Sequence, residues 1–316
     1  MKTAFVALPG NERLRDDLAA RLTGDVVSVE LRRFPDQETF VRVLEPVAGR
    51  EVIIVAALDR PDDKFLPLAF LAATARDLGA VRVGLVAPYL AYMRQDRRFH
   101  GGEGVTSRYF AGLLSRAVDW LVTVDPHLHR VHRLADLYTI PACVVHAAPA
   151  IAAFIRAAYP SSLLVGPDEE SEQWVAAVAA DAGVPYVVLA KERAGDRDVR
   201  VRAPTLPKPT GAPPLILDDI VSTGYTMTAT ARALQAAGYA ESVGIGVHAI
   251  LGDDAVRAMA SAGVVRLVTC NTIRHVTNGI DLTPELARAV DAARELAGSV
   301  SMRGGVSLTA SPASPD

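Results

Sequence analysis

Two doubly wound parallel-sheet α/β domains are the architecture this sequence predicts. Three observations predict it. Short apolar runs alternate with longer helical patterns along nearly the whole chain. Several runs are almost continuous Val, Ile, Leu and Ala, as strands covered on both faces are. The length, 316 residues, exceeds what one core ordinarily serves, so two domains follow.

Strands are expected at residues 3–8, 26–31, 51–56, 81–87, 120–124, 142–146, 162–165, 186–190, 214–217, 242–249 and 266–269. Helical patterns occupy 66–78, 109–117, 148–158, 173–182, 226–237 and 255–262. Strand then helix, repeated, implies parallel pairing through right-handed crossovers. The pattern runs through the chain twice, with about five strands in each half and a join near residues 143–148. Domains are therefore expected at 1–145 and 146–297. Residues 298–316, rich in Gly, Ser, Ala and Pro, read as a disordered tail. Residues 194–214 are rich in Pro, Arg and Lys and long for a connection, as lids and linkers are.

Bulk composition excludes several function classes. The formal net charge is only −3, so no global field attracts nucleic acid or a membrane surface, and any anion site must be local. Cys143 and Cys270 lie far apart near the ends of apolar runs and read as buried thiols rather than a disulfide or metal pair. The N-terminal residues pass straight into a strand-like run without a signal-peptide pattern. No stretch of about 18 apolar residues occurs. A cytoplasmic location is the expectation.

The strongest motif runs from Leu215 to Thr226. Two carboxylates, Asp218 and Asp219, stand where an apolar strand ends. Ser222, Thr223 and Gly224 make a turn, and a helix follows. Ligands of open α/β sheets bind at the carboxyl ends of strands. A helix N-terminus offers free N–H groups and a dipole that favours an anion. Gly224 allows close approach or positive φ. Ser222, Thr223 and Thr226 add hydroxyl donors for a phosphate. The two acids cannot serve that phosphate; they suit vicinal sugar hydroxyls, or Mg²⁺ held through water.

This segment resembles the phosphoribosyl pyrophosphate loop of the type I phosphoribosyltransferase fold. By itself the resemblance fits both transferases that consume the activated sugar and the synthetase that makes it. Residues 92–98 resemble the ATP-binding segment of the ribose-phosphate pyrophosphokinases. There Arg94 and Arg97 can make forked phosphate contacts, and Gln95 can read an adenine edge or a ribose hydroxyl. Residues 34–38 resemble that family's adenine-binding hairpin, with Phe34 as a stacking face and Asp36 and Glu38 as acceptors. In the family this hairpin serves a neighbouring subunit, so the resemblance implies a homo-oligomer. The Asp125-Pro126-His127 segment resembles the family's Asp-x-His, whose His meets ATP and Mg²⁺. Lys191-Glu192-Arg193 resembles the catalytic Lys-x-Arg at the base of a mobile lid; a solvated charged loop is the plainer alternative.

The resemblance spans about residues 34 to 226 in the family's order, within a two-domain pattern reaching Ala297. It implies a ribose-phosphate diphosphokinase with two phosphoribosyltransferase-like domains. The first would bind ATP through Phe34, Asp36, Glu38, Arg94, Gln95, Arg97 and His127. The second would bind ribose 5-phosphate through Asp218, Asp219, Ser222, Thr223, Gly224, Tyr225 and Thr226. Mg²⁺ would sit near His127 and Asp168, and Lys191 and Arg193 would act in catalysis. Alternatives are a phosphoribosyltransferase or related pentose-phosphate enzyme, and a catalytically weak regulatory paralogue. Four places depart from the family pattern. Gln37 stands where the family usually has Gly. Glu169, Glu170 and Ser171 follow Asp168 in place of a smaller, often Gly-containing stretch; extra carboxylates there should repel pyrophosphate unless they point away or hold another cation. Tyr225 replaces a usual Gly and would shrink the sugar pocket or offer a stacking face. Residues 101–108 look closer to the Gly-Glu-containing loop of less regulated relatives.

Overall fold

The computed structural model describes residues 2–98, 100–128, 133–193, 199–202, 206–209 and 211–303. The first half contains β1 (Thr3–Ala7), α1 (Glu12–Arg21), β2 (Asp25–Val26), β3 (Val29–Arg33), β4 (Thr39–Val43), β5 (Glu51–Val55), α2 (Pro61–Asp77), β6 (Arg82–Ala87), α3 (Thr106–Ala117), β7 (Trp120–Val124) and β8 (Ala142–Val145). The second contains α4 (Ala148–Ala158), β9 (Leu164–Gly166), α5 (Glu172–Ala182), β10 (Tyr186–Val188), β11 (Ala190–Arg193), β12 (Val199–Arg202), β13 (Leu215–Val221), α6 (Tyr225–Ala236), β14 (Ser242–Ala249), α7 (Asp253–Ser261), β15 (Val264–Cys270), β16 (Asn278–Ile280) and α8 (Thr283–Arg303).

Each half builds a six-stranded sheet, in the orders β2-β1-β5-β6-β7-β8 and β10-β9-β13-β14-β15-β16. All pairings within both sheets are parallel. Counted within its own sheet, each order is the same, and each half inserts one antiparallel ribbon before its third strand: β3–β4 and β11–β12. The repeat that residue identities hide is plain in topology. In both sheets the chain reverses direction of winding at the first strand, so the switch-point crevices lie between β1 and β5 and between β9 and β13.

The central strands are fully buried, as their continuous apolar runs require: every residue of β5, β7 and β14 is buried. On β6, Gly84 leaves room for the indole of Trp120; a Cβ there would lie 2.0 Å from the ring. One apolar cluster joins the two sheets, with Phe5, Val86 and Val122 from the first and Leu164, Leu215 and Ile245 from the second. Between them run α1, α4, α5 and α8, and α8 packs on β7, β8 and α1. A buried ion cluster fastens it. Glu51, wholly inaccessible to solvent, accepts from Arg82 Nε at 2.6 Å, Trp120 Nε1 at 3.0 Å and Arg294 Nε at 2.7 Å. Arg294 also donates to Thr3 Oγ1 at 3.0 Å.

Several expected elements differ. Residues 26–31 do not form one strand: the sheet pairing ends at Val26, and β3 folds back on β4 as a ribbon. Likewise 186–190 divides into β10 and the ribbon strand β11. β13 continues past Leu217 through both Asp residues, because Asp218 and Ile220 stay in register with Gly246 and His248 of β14. Helices α1 and α8 and strands β12 and β16 were not expected, and β4 only as the outgoing arm of the hairpin at residues 34–38. The tail reading fails for 298–303, which continue α8 to Arg303; residues 304–316 lie outside the described residues.

Candidate active site

The two switch points are built differently. In the first sheet Asn11 bridges the crevice: its Nδ2 donates to Leu8 O at 3.1 Å, and its Oδ1 accepts from Ala57 N at 2.9 Å. Lys64 neutralises Asp59 beside it at 2.5 Å. In the second sheet the corresponding place holds Asp218 and Asp219, the turn at 222–224 and the start of α6. Gly224 takes φ +70°, and a Cβ there would meet Met259 Cγ at 3.0 Å and Ala255 O at 3.3 Å. Glycine is therefore required both for the turn and for its approach to α7. α6 begins at Tyr225, so the N–H groups of its first turn open onto the loop. The Tyr225 side chain is exposed and lines a groove with Thr223, Thr228, Arg232 and Ala258.

The first domain reaches the acidic pair through His127. His127 Nδ1 donates to Asp219 Oδ2 at 2.9 Å, linking residues 92 positions apart in the chain. Burial pushes the Asp219 carboxyl upward, but the His127 hydrogen bond and charge, with His248 and the Ile220 N–H, hold it below the usual carboxylate range. Asp219 is thus kept ionised. Asp125, two residues earlier, has another task. Its Oδ1 accepts from His146 Nδ1 at 2.9 Å and its Oδ2 from Ala147 N at 2.8 Å, so it ties β7 to the segment entering the second domain. This contact, ahead of the opposing effect of burial, raises the His146 pKa. Asp125 holds φ +30°, in the left-handed region where a non-glycine is strained.

His248 of β14 was not singled out by sequence motifs. It is buried beside this junction: Nδ1 lies 2.9 Å from Thr272 Oγ1, Nε2 lies 3.4 Å from Asp125 O, and its ring meets Tyr89 edge-on at 5.0 Å. Burial depresses its pKa. An apolar pattern with one His inside a strand gave no signal of function. A cavity of about 10 Å³, room for one water, is lined by Tyr89, Met93, Arg94, His127, Ile220 and His248. Arg94 and His127 therefore border the same space between the domains.

The other expected residues are placed as follows. Arg94 and Arg97 are exposed. Gln95 is half-buried, and its Oε1 accepts from Thr106 Oγ1 at 3.0 Å, so it also fastens the start of α3. Asp168 caps the short 3₁₀ turn Glu169–Ser171, accepting from Ser171 N at 3.2 Å. That turn leads into α5, and Glu169 is exposed. Phe34, Asp36 and Glu38 are exposed at the tip of the β3–β4 ribbon. Their polar and ring contacts stay within the ribbon: Phe34 against Phe40 at 6.0 Å and Arg32 at 4.6 Å, and Asp36 Oδ1 against Glu38 N at 3.2 Å. Gln37 adopts φ +74°, which explains physically why a glycine suits that position. Lys191 and Arg193 do not open a loop: they lie on β11, paired with Val201 and Val199. Residues 194–198, 203–205 and 210 of the expected lid lie outside the described residues. Cys270 is buried and Cys143 half-buried, both free.

Comparison with known proteins agrees with this arrangement. Residues 3–117 match the sequence model described as the N-terminal domain of ribose phosphate pyrophosphokinase, and residues 134–285 match the phosphoribosyl transferase domain. A ribose-phosphate pyrophosphokinase from Methanopyrus kandleri is 32% identical over 277 residues, 87% of this chain and 94% of that protein. Another, from Saccharolobus solfataricus, is 33% identical over 263 residues, 82% and 89% of the two chains. The crystal structure of phosphoribosylpyrophosphate synthetase from Mycobacterium smegmatis superposes with a TM-score of 0.80 over 93% of this chain and 99% of that one, at 23% identity, a likeness of fold. Matched across both domains by relatives of the same name, this chain belongs to the ribose-phosphate pyrophosphokinase family.

Proposed function

We propose that this protein transfers the β,γ-diphosphoryl group of ATP to the anomeric hydroxyl of ribose 5-phosphate, giving phosphoribosyl pyrophosphate and AMP. The observation that carries the reading is the meeting of His127 with Asp219: the phosphate-loop crevice of one domain faces the Asp-x-His segment of the other. A transferase that only consumes the activated sugar has no use for such a second domain.

The anomeric oxygen attacks the β-phosphorus, and the bond from that phosphorus to the oxygen of AMP breaks. Such transfer depends mainly on positioning and electrostatics. Asp218 and Asp219 hold the sugar hydroxyls as acceptors. Ser222, Thr223, Thr226 and the backbone at Gly224 and Tyr225 hold the 5-phosphate. Arg94, Gln95 and Arg97 orient ATP, with Phe34, Asp36 and Glu38 from a neighbouring subunit of a homo-oligomer. Lys191 and Arg193 neutralise charge on the transferring group. No described cluster of three or more His, Cys, Asp or Glu side chains can enclose a metal. That fits Mg²⁺, which keeps waters and phosphate oxygens and needs few protein ligands; His127 and Asp168 would supply them. When bound, Mg²⁺ neutralises phosphate charge. Among the described residues no helix is long and apolar enough to cross a membrane, and the small net charge offers nucleic acid nothing; a cytoplasmic enzyme is the reading that follows.

The test is incubation with ATP, Mg²⁺ and ribose 5-phosphate while AMP and phosphoribosyl pyrophosphate are followed. Stoichiometric appearance of both supports the reading. Absence of both overturns it in favour of a regulatory paralogue. Consumption of added phosphoribosyl pyrophosphate with a nucleobase would instead indicate a transferase.

A further inference from the structure

We infer that His248 is a positioning residue, holding the backbone of Asp125 so that His127 meets Asp219 across the domain junction. The inference rests on the proposed role of His127. Three contacts and the chain itself close a ring between the domains. Asp219 stands on β13, and His248 stands on β14 directly beside Ile220 in the register. His127 bonds Asp219 at 2.9 Å, and His248 Nε2 faces Asp125 O at 3.4 Å. Only Pro126 separates Asp125 from His127. Asp125 is also the strained residue of the turn, at φ +30°, and strain persists only where the surroundings over-determine it.

The imidazole is itself fixed from three sides. Thr272 Oγ1 lies 2.9 Å from Nδ1, the Tyr89 ring packs against it at 5.0 Å, and only 1% of the residue is exposed. A neutral imidazole carries one N–H. Thr272 Oγ1 lies 2.9 Å from both Nδ1 and Val247 O, and its single proton serves one of them. With the imidazole proton on Nε2, the ring donates to Asp125 O, and the Thr272 hydroxyl turns its proton to Nδ1 in place of Val247 O. His248 therefore touches neither substrate; it acts through the turn that carries His127.

The experiment is a double-mutant cycle on the full chain. We would compare His248→Phe, His127→Ala and the double variant in the AMP-release assay, with ribose 5-phosphate affinity measured separately by titration. Misplacement of a site group on the scale of an ångström costs on the order of 10-fold to 100-fold. His248→Phe should lower kcat by that factor with ribose 5-phosphate affinity unchanged, and the double variant should be no slower than His127→Ala. His248→Gln, which keeps a donor, should recover part of the rate. Multiplicative losses in the double variant, or equal rates for His248→Phe and wild type, overturn the inference. If His248→Phe fails to fold, Thr272→Val replaces it in the cycle with the same expectation. An active His127→Ala would instead refute the role given to His127.

Discussion

Removal of the Glu51 carboxylate tests whether the buried ion cluster fastens α8 to the first sheet. Glu51 has no solvent exposure, and the side chains of Arg82 and Arg294 are 19% and 21% exposed. In Glu51→Ala both guanidinium groups lose the buried carboxylate, Arg294 keeping Asp291 Oδ1 at 3.5 Å, and the Trp120 indole N–H loses its acceptor. Breaking a buried ion pair by deleting one partner costs about 3–5 kcal/mol. Here Arg82 retains Arg294 O at 3.2 Å and Arg294 retains Thr3 Oγ1 at 3.0 Å, so part of each charge stays solvated by protein. The orphaned indole adds about 1–3 kcal/mol of its own. The expected loss is about 4 kcal/mol for Glu51→Ala. For Glu51→Gln, which keeps an acceptor and the shape, it is about 2 kcal/mol. Urea unfolding followed by circular dichroism and by the fluorescence of Trp120 and Trp174 measures both. Hydrogen exchange along 283–303 should show α8 opening earlier than in the wild type. Replacing Glu51, Arg82 and Arg294 together by leucine should recover the part owed to the orphaned charges, because an apolar core does without their desolvation, and leave the cost of the unpaired Trp120 indole. A Glu51→Ala protein within about 0.5 kcal/mol of wild type, with unchanged α8 exchange, would refute the reasoning.

Four other outcomes follow from particular residues. Gly224→Ala should destabilise by about 1–2 kcal/mol and weaken ribose 5-phosphate binding at least tenfold, since φ is +70° and α7 backbone blocks a Cβ; a titration indistinguishable from wild type contradicts this. Gln37→Gly should leave stability equal or raise it by up to about 1 kcal/mol, because residue 37 already sits at φ +74°; a clear drop in melting temperature counts against it. His248 has a folded pKa below its ordinary 6.5, so the unfolded chain takes up a proton that the fold refuses. Its stability contribution is complete above that value and falls as pH drops below it, by up to about 1.4 kcal/mol per pH unit. Denaturation curves from pH 7 to pH 5 should show this slope, and His248→Phe should reduce it; an identical slope in both proteins rejects the assignment. Lys191→Ala should cut turnover by orders of magnitude while ribose 5-phosphate still binds, and full turnover in that variant removes Lys191 from the chemistry.

The sequence alone determined the strand–helix alternation and the turn that leads from β13 into α6, because both are local. β7, β14 and α4 were legible to the residue: each is a continuous or periodic apolar pattern whose ends coincide with the change in packing. The turn at 222–224 was legible because two acids, hydroxyl side chains and a glycine serve one strand end. α1 was not, since Leu14, Leu18 and Ala19 are its only buried residues among many charges. α8 was not, since its end has the composition of a linker while its buried residues, Leu286, Val290 and Ala293, face the core shared by the two sheets.

What the tertiary structure decided is everything that joins distant positions. Composition cannot show that Glu51 finds Arg294, 243 residues away, or that His127 finds Asp219, 92 residues away. Nor can it show that Asn11 bridges the ends of β1 and β5, or that Tyr225 lines a groove with Thr223 and Arg232. Periodicity reports which face of an element is buried. Which partner buries it, and which carboxylate then meets which cation, depends on how two sheets and their shared helices pack. That information resides in no local stretch of the chain.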